Sequence, residues 1–473
     1  LTYSFLKGRR SSGQEETVMA QERTLDVAEL IEGRKLGSAQ IWVALLLCTL
    51  MALEGYDMQT LSFAAPSILQ EWGVSRAEFG YVLTAHLLGY LVGAVFLTFY
   101  GDRLGRKNII LAGATIFSVF TFAAGLAGSQ MELFALRFLA GIGLGGAIPT
   151  GIALAAEYMP HRIRATTIGL MFVAYNLGAA SGGFIASWSI EQFGWHSVFF
   201  IGGLAALPVI LVLAVWLPES IRFLVVRGRD HAKVAAIARK LRPEDDFSGV
   251  TRFTINEEVR TNSVNSLLTE GRALVTILLW AAFILSFTGH YFITGWMPTV
   301  LSDNGFTISQ ANASMGWFQM GGAVGSFIVA VALDRLGIKV VGWTFMFAVP
   351  VTIMLGLEAN YFLLQVNMLV AGIGVLGGQI GLNALCGTIY PTYMRAMGAG
   401  WALGIGRIGA MSGPIIGGYL LAMGLERALL LFLTAVPLFF CALSLFALAV
   451  AKRQQDQRDG VQATSIKASG FAH

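Results

Sequence analysis

Charge in this chain is segregated: apolar stretches of roughly 20 residues, nearly free of Asp, Glu, Lys and Arg, alternate with short charged links. Such a stretch is long enough to cross ~30 Å of hydrocarbon at 1.5 Å per residue. Only 13% of the 473 residues are charged and 55% are hydrophobic. A soluble domain carries about 25% charged residues, so this chain cannot clothe itself in a water-facing surface. Continuous rather than alternating apolar runs exclude a β-barrel. The 56 glycines fit helices whose backbones approach closely in lipid. The fold class expected is an all-α membrane protein.

The apolar runs predict spans at 41–64, 79–100, 108–127, 131–156, 165–190 and 197–217, then at 272–300, 311–333, 339–357, 361–389, 397–423 and 427–450. An even number of spans puts both termini on one side. Of the 32 basic residues, only Arg76 and Arg427 fall in links on the opposite side, and Arg137 and Arg407 fall within spans. The rest lie in the tails and alternate links, so the tails and the 218–271 loop are expected to be cytoplasmic. The organisation expected is a cytoplasmic tail (1–40), a six-helix bundle (41–217), a cytoplasmic linker (218–271), a second bundle (272–450) and a tail (451–473). Residues 1–40 are polar and lack the apolar core of a cleavable leader. Met19 opens a conventional start, and residues 1–18 are assigned no function. The net charge of +4 reflects the topological bias and gives no ground for nucleic-acid binding. Cys48, Cys386 and Cys441 lie in apolar spans without metal-ligand spacing. No disulfide, metal or cofactor is expected.

A shift of about 231 residues lays the chain on itself. Gly101-Asp102-Arg103-Leu104-Gly105-Arg106-Lys107 meets Leu333-Asp334-Arg335-Leu336-Gly337-Ile338-Lys339. Ala140–Gly143 meets Ala371–Gly374, and Gly178–Gly183 meets Gly409–Pro414. Six spans per repeat keep the two halves in parallel orientation, which implies a cavity between pseudo-symmetric bundles, opened alternately to each side by rocking. The GDRLGRK run between spans 2 and 3, with its degenerate copy between spans 8 and 9, resembles the signature loop of the major facilitator superfamily. That resemblance implies a cytoplasmic gate of Gly101, Asp102, Arg103, Arg106, Asp334 and Arg335.

Ionisable groups inside a span cost several kcal/mol and are functional candidates by default. Glu54 and Asp57 sit about 20 and 24 Å from the start of span 1. Their i, i+3 spacing predicts one shared helical face. Two carboxyls that close in low dielectric cannot both ionise cheaply, so one is expected to hold a proton. The alternatives are a pair of helix-end carboxylates, if span 1 ends earlier, or a static ion pair that holds helices together. Arg137 in span 4 needs an anionic partner at this depth, and the span 1 acids are the best candidates, as a proton-linked gate or as a fixed clamp. Arg407 in span 11 has no acid in its own half, and its repeat mate is Asn176. It is positioned either to take a carboxylate substrate or to pair across the cavity with Glu54. His86, His290, Tyr291, Trp296, Gln319, Gln379 and Asn383 also lie near mid-depth, as substrate contacts or as satisfied core polar groups.

Within the superfamily, three runs resemble the aromatic acid:proton symporters. They are Glu54-Gly55-Tyr56-Asp57, the Gly406–Pro414 run Gly-Arg-x-Gly-Ala-x-x-Gly-Pro, and Trp296-Met297-Pro298. The first position is usually Asp in that family and is Glu54 here. The resemblance implies uptake of a small aromatic carboxylate, such as a hydroxybenzoate, together with protons. The expected setting is a monomer in the bilayer of a bacterial inner membrane. Proton coupling would rest on Glu54, Asp57 and Arg137. Substrate contacts would come from Arg407, Tyr56, Asn176, His290, Trp296, Gln319, Gln379 and Asn383. Pro218–Phe223 resembles a run of the sugar porters. Symport of a non-aromatic carboxylate or sugar acid, and efflux by antiport, stay open. No catalytic motif appears, and the chain is not expected to be an enzyme.

Overall fold

In a bilayer every backbone N–H and C=O must be satisfied within its own segment, so the apolar runs can only be helices. The computed structural model describes residues 23–32, 36–228, 231–242, 250–254, 264–269, 271–390 and 394–469. Its long helices are α1 (Ser38–Trp72), α2 (Arg76–Leu104), α3 (Arg106–Ala124), α4 (Gln130–Tyr158), α5 (His161–Phe193) and α6 (His196–Trp216). They continue with α7 (Ala273–Asp303), α8 (Ile308–Leu336), α9 (Lys339–Met354), α10 (Tyr361–Ile389), α11 (Arg395–Ala422) and α12 (Arg427–Ser469). Each predicted span has its helix. Ten of the helices are long and apolar enough to cross a membrane; α9 is shorter, and α11 is rich in glycine and carries Arg407. Two ends were misplaced. α1 runs past 64 through Pro66 to Trp72, and α12 continues beyond 450, where Lys452 pairs with Asp456 at 2.9 Å. Polar side chains end a hydropathy run, but they do not end a helix.

The glycines of the repeat are where backbones meet. A Cβ on Gly141 (α4) would fall 2.2 Å from the His86 carbonyl of α2, and one on Gly89 (α2) 1.9 Å from the Phe138 carbonyl of α4. The second half repeats this, with Gly372 (α10) against the Phe318 carbonyl of α8 and Gly321 (α8) against the Leu369 carbonyl of α10, both at 1.9 Å. Likewise Gly178 lies against Ala52, joining α5 to α1, and Gly409 against Ile284, joining α11 to α7. Gly141→Leu is therefore expected to leave no folded protein in fluorescence-detected size-exclusion profiles, because backbone cannot give way. Gly400→Ala, where a Cβ meets nothing within 4 Å, is expected to be neutral or to stabilise by up to ~1 kcal/mol.

Four of the helices that start at the end opposite the termini are capped by side chains: Ser75 on α2, Ser129 on α4, Thr307 on α8 and Asn360 on α10. At that same end the two halves close on each other. Arg76 pairs with Asp303 at 2.7 Å, the Tyr81 and Tyr419 hydroxyls are 2.9 Å apart, and Ser187 meets Ser309 at 2.8 Å. Small residues line the crossings, with a Gly183 Cβ falling 2.6 Å from Gly316 N and a Gly418 Cβ 2.5 Å from the Arg76 carbonyl. Further from that end, Asn176 of α5 is hydrogen-bonded to Ser326 of α8 at 3.4 Å, between the halves.

The tail and the linker, read from sequence as separate polar segments, fold together. Arg23–Asp26 pairs in parallel with Val250–Thr254. The helices Val27–Ile31 and His231–Leu241 bury Val27, Leu30, Val234, Ala238 and Leu241 around Phe253.

Candidate functional site

α1 carries both acids, but the helix turns about 60° short of a full circle over three residues, and each acid goes its own way. The two carboxyls remain neighbours on one side of α1, but their partners differ: Asp57 points into the first half and Glu54 towards the second. Asp57 is fully buried and gripped by Arg137, itself 1% exposed. Arg137 Nη1 donates to Asp57 Oδ1 at 2.8 Å, and Nη2 donates to Oδ2 at 2.9 Å and to the Asp57 carbonyl at 3.1 Å. Thr121 of α3 adds a hydrogen bond to Oδ1 at 3.0 Å, and the guanidinium lies 5.7 Å from the Phe199 ring centroid. His86 of α2 completes the group, with Nδ1 3.6 Å from Asp57 Oδ2.

Glu54 is also buried, but the cation facing it is Arg407 of the other half. Arg407 lies over the Tyr90 ring, 4.5 Å from its centroid, with Tyr175 and Tyr291 alongside. Two acids therefore face two arginines, one pair locked inside a half and the other facing across the gap between halves. Of these tyrosines the sequence reading singled out Tyr291; Tyr90 and Tyr175 went unassigned, because aromatics in a membrane span usually read as packing.

The other candidates divide. Asn176 bridges α5 and α8. Gln379 accepts from Ser286 Oγ at 2.9 Å, and its amide points to Asn383 at 3.4 Å. His290 stacks on Tyr291, with ring centroids 4.8 Å apart and Nδ1 without a protein partner. Gln319 is buried with both amide atoms unpartnered. Tyr56 and Trp296 are corrected. Tyr56 turns into its own half, donating to the Val198 carbonyl at 3.0 Å. Trp296 is 0% exposed and donates to the Pro414 carbonyl at 2.7 Å. Both satisfy their polar atoms on backbone and pin helices together.

Through its described side chains the GDRLGRK loop binds the end of α6, within its own half. Gly105 has φ +100°, and a Cβ on it would lie 2.3 Å from Glu219 Oε2. Lys107 N donates to Glu219 Oε1 at 3.1 Å, Arg106 pairs with Glu157 at 2.9 Å, and Glu157 accepts from Ser220 Oγ. Sequence reading missed Glu157 and noted Glu219 only within the Pro218–Phe223 run, because the partners of both lie far away along the chain. Arg103 and Arg335 are exposed, and Arg103 lies over the Phe99 ring at 4.6 Å. The Asp102 and Asp334 side chains lie outside the described residues.

A separate cavity sits between the halves, one turn of α1 beyond Asp57 towards the closed end. Its lining includes Gln59, Ser62, His86 and Arg137 from one half and Tyr291 and Thr294 from the other.

The profile of the Major Facilitator Superfamily matches residues 47–300 and 279–470. The chain belongs to that superfamily. Its fold agrees with that of the xylose transporter XylE from E. coli in a partially occluded inward-open conformation, with a TM-score of 0.66 at 16% identity over 86% of this chain and 98% of that one. A gallate transporter of Pseudomonas putida is 39% identical over 89% of this chain and 95% of its own length. The 4-hydroxybenzoate transporter PcaK of Acinetobacter baylyi is 35% identical over 90% and 94%. Within the superfamily the chain falls in the aromatic acid transporter family. It is a multi-pass membrane transporter and not an enzyme.

Proposed function

We propose that this transporter takes up a small aromatic carboxylate together with one or more protons, by alternating access in the inner membrane of a bacterium. The observation that carries this reading is the division of labour on α1: Asp57 closed into a bidentate pair with Arg137, and Glu54 facing Arg407 across the gap. Arg407 binds the substrate carboxylate, and Tyr90, Tyr175 and Tyr291 wall the ring. Gln319, Gln379, Asn383, His290 and Asn176 supply polar contacts around it. Asp57 and Glu54 carry the proton. Protonation of Asp57 removes the charge that holds Arg137, and the freed arginine couples that event to the rocking of the halves. The names of the gallate and 4-hydroxybenzoate relatives support the substrate class.

The chain acts as a monomer of two bundles, 41–217 and 272–450, with tails and linker in the cytoplasm. The halves as seen are sealed on the outer side, and Gly101, Asp102, Arg103, Arg106, Asp334 and Arg335 form the gate that shuts the inner side. In proteoliposomes with an inward proton gradient, 4-hydroxybenzoate, gallate, protocatechuate, gentisate and 3-phenylpropionate are compared with succinate. Accumulation of at least one aromatic acid, with succinate excluded, is the expected result. Equal uptake of succinate, or accumulation indifferent to the proton gradient, would overturn the reading.

A further inference from the structure

The two buried arginines are held in different ways. Arg137 is committed to an acid: Asp57 takes both of its terminal nitrogens, and the carboxylate of that pair is 0% exposed. A second carboxylate finds no place there. Arg407 is held by neutral groups instead. Its guanidinium lies over the Tyr90 ring, 4.5 Å from the centroid, and the hydroxyls of Tyr90 and Tyr291 lie beside it. Glu54 acts on it by charge. Among the described residues, no carboxylate closes on Arg407 as Asp57 closes on Arg137 at 2.8 Å. Hydrogen bonds to an ionised acceptor are about twice as strong as those between neutral groups, so an incoming carboxylate can take the Arg407 donors.

Glu54 is the acid that such a step would displace. It is 6% exposed. The charged and titratable groups acting on it are Arg407 of α11, Tyr90 of α2, Tyr175 of α5, Tyr291 of α7 and, on its own helix, Asp57. Arg407 is the cation of that set. Glu54 cannot swing away to another, because α1 is pinned beside it: a Cβ on Gly55 would fall 1.9 Å from the Tyr175 carbonyl of α5. A buried charge without its counter-charge is costly, so one guanidinium balances one carboxylate at a time. If a substrate carboxylate takes Arg407, Glu54 holds excess negative charge until it binds a proton. If the site empties, a protonated Glu54 leaves Arg407 unbalanced until that proton is lost.

We propose that the transported acid displaces Glu54 as the counter-ion of Arg407, so that Glu54 gains a proton whenever the acid binds and loses it whenever the acid leaves. This rests on the proton symport proposed above. On the outer side the acid enters as its carboxylate, and water delivers one proton to a Glu54 carboxyl oxygen. The site gains one negative and one positive charge, and its net charge is unchanged. On the inner side the acid departs, the Glu54 O–H bond breaks, its proton passes to water, and the carboxylate faces Arg407 again. The closed site is balanced with acid and proton together or with neither. With acid alone or proton alone it holds an unmatched buried charge, so those forms do not rock. The exchange leaves the Asp57–Arg137 pair to its gating role.

The test uses the purified full chain, with 4-hydroxybenzoate as probe. Titration calorimetry in buffers of different ionisation enthalpy counts the protons taken up on binding. Wild type should take up about one proton per acid bound, and its affinity should fall about tenfold per pH unit wherever Glu54 is ionised in the empty protein. Glu54→Gln should bind the acid without proton uptake and with a flat pH dependence, and should lose accumulation in proteoliposomes. Glu54→Asp should regain the proton uptake. Wild-type binding without proton uptake overturns the exchange, whether or not the variants fold. Proton uptake that persists in Glu54→Gln also overturns it, by moving the proton to another group, and leaves the symport reading standing. Wild-type accumulation indifferent to the proton gradient would instead bring down the symport reading itself, and the exchange with it.

Discussion

Asp57→Asn is expected to abolish proton-driven accumulation while the protein still inserts in the membrane. The asparagine cannot change charge, so Arg137 never receives the signal to let go. The substitution also leaves a guanidinium that is 1% exposed without its anion. Breaking one side of a buried pair costs on the order of 3–5 kcal/mol, whereas removing both charges is often near neutral. The single variant should therefore melt well below wild type, and Asp57→Asn/Arg137→Gln should recover much of that loss without recovering accumulation. Melting followed by intrinsic fluorescence, with uptake on the same preparations, separates the two effects. Undiminished accumulation by Asp57→Asn would remove Asp57 from the proton path.

Arg407→Ala carries the second large effect. If Arg407 holds the carboxylate, affinity for 4-hydroxybenzoate should fall by about 2–5 kcal/mol, roughly 30-fold or more. Affinity for the neutral 4-hydroxybenzamide should change little. Isothermal titration of both ligands gives the comparison directly. Arg407→Lys keeps the charge but not the flat two-pronged donor, and should fall between the two. Equal losses for acid and amide would make Arg407 a structural residue facing Glu54.

Much of this architecture was legible because lipid leaves a chain few choices. Span number, the side of the basic links and the repeat all follow from what a bilayer tolerates, and every predicted span appears as a helix. What escaped the sequence is angular. Depth along a helix can be counted, but the way a side chain faces depends on neighbours that the sequence does not name. Tyr56 and Trp296 lie at suitable depth, and both turn onto backbone carbonyls inside their own halves. Glu54 and Asp57 were placed on one face, yet their modest angular separation spans the boundary between the packed interior and the gap. The pairing of 23–26 with 250–254 joins two short segments at opposite ends of the first bundle, and neither announces a partner.

The glycine contacts have a mechanical consequence. Inside each half, backbone lies directly on backbone at Gly89, Gly141, Gly321 and Gly372, with no side chain between them to flex. Each bundle is thereby stiff. Where the bundles meet, Gly183 lies against Gly316 and Gly418 against the Arg76 carbonyl, with the Phe184 ring also seated on Gly316. The Arg76–Asp303 pair beside them is partly exposed, and such a pair contributes about 0–1 kcal/mol. Two stiff bodies that meet largely through small residues and are weakly fastened at the rim can rock as units, so a change at the interface need not be dissipated in deforming either half.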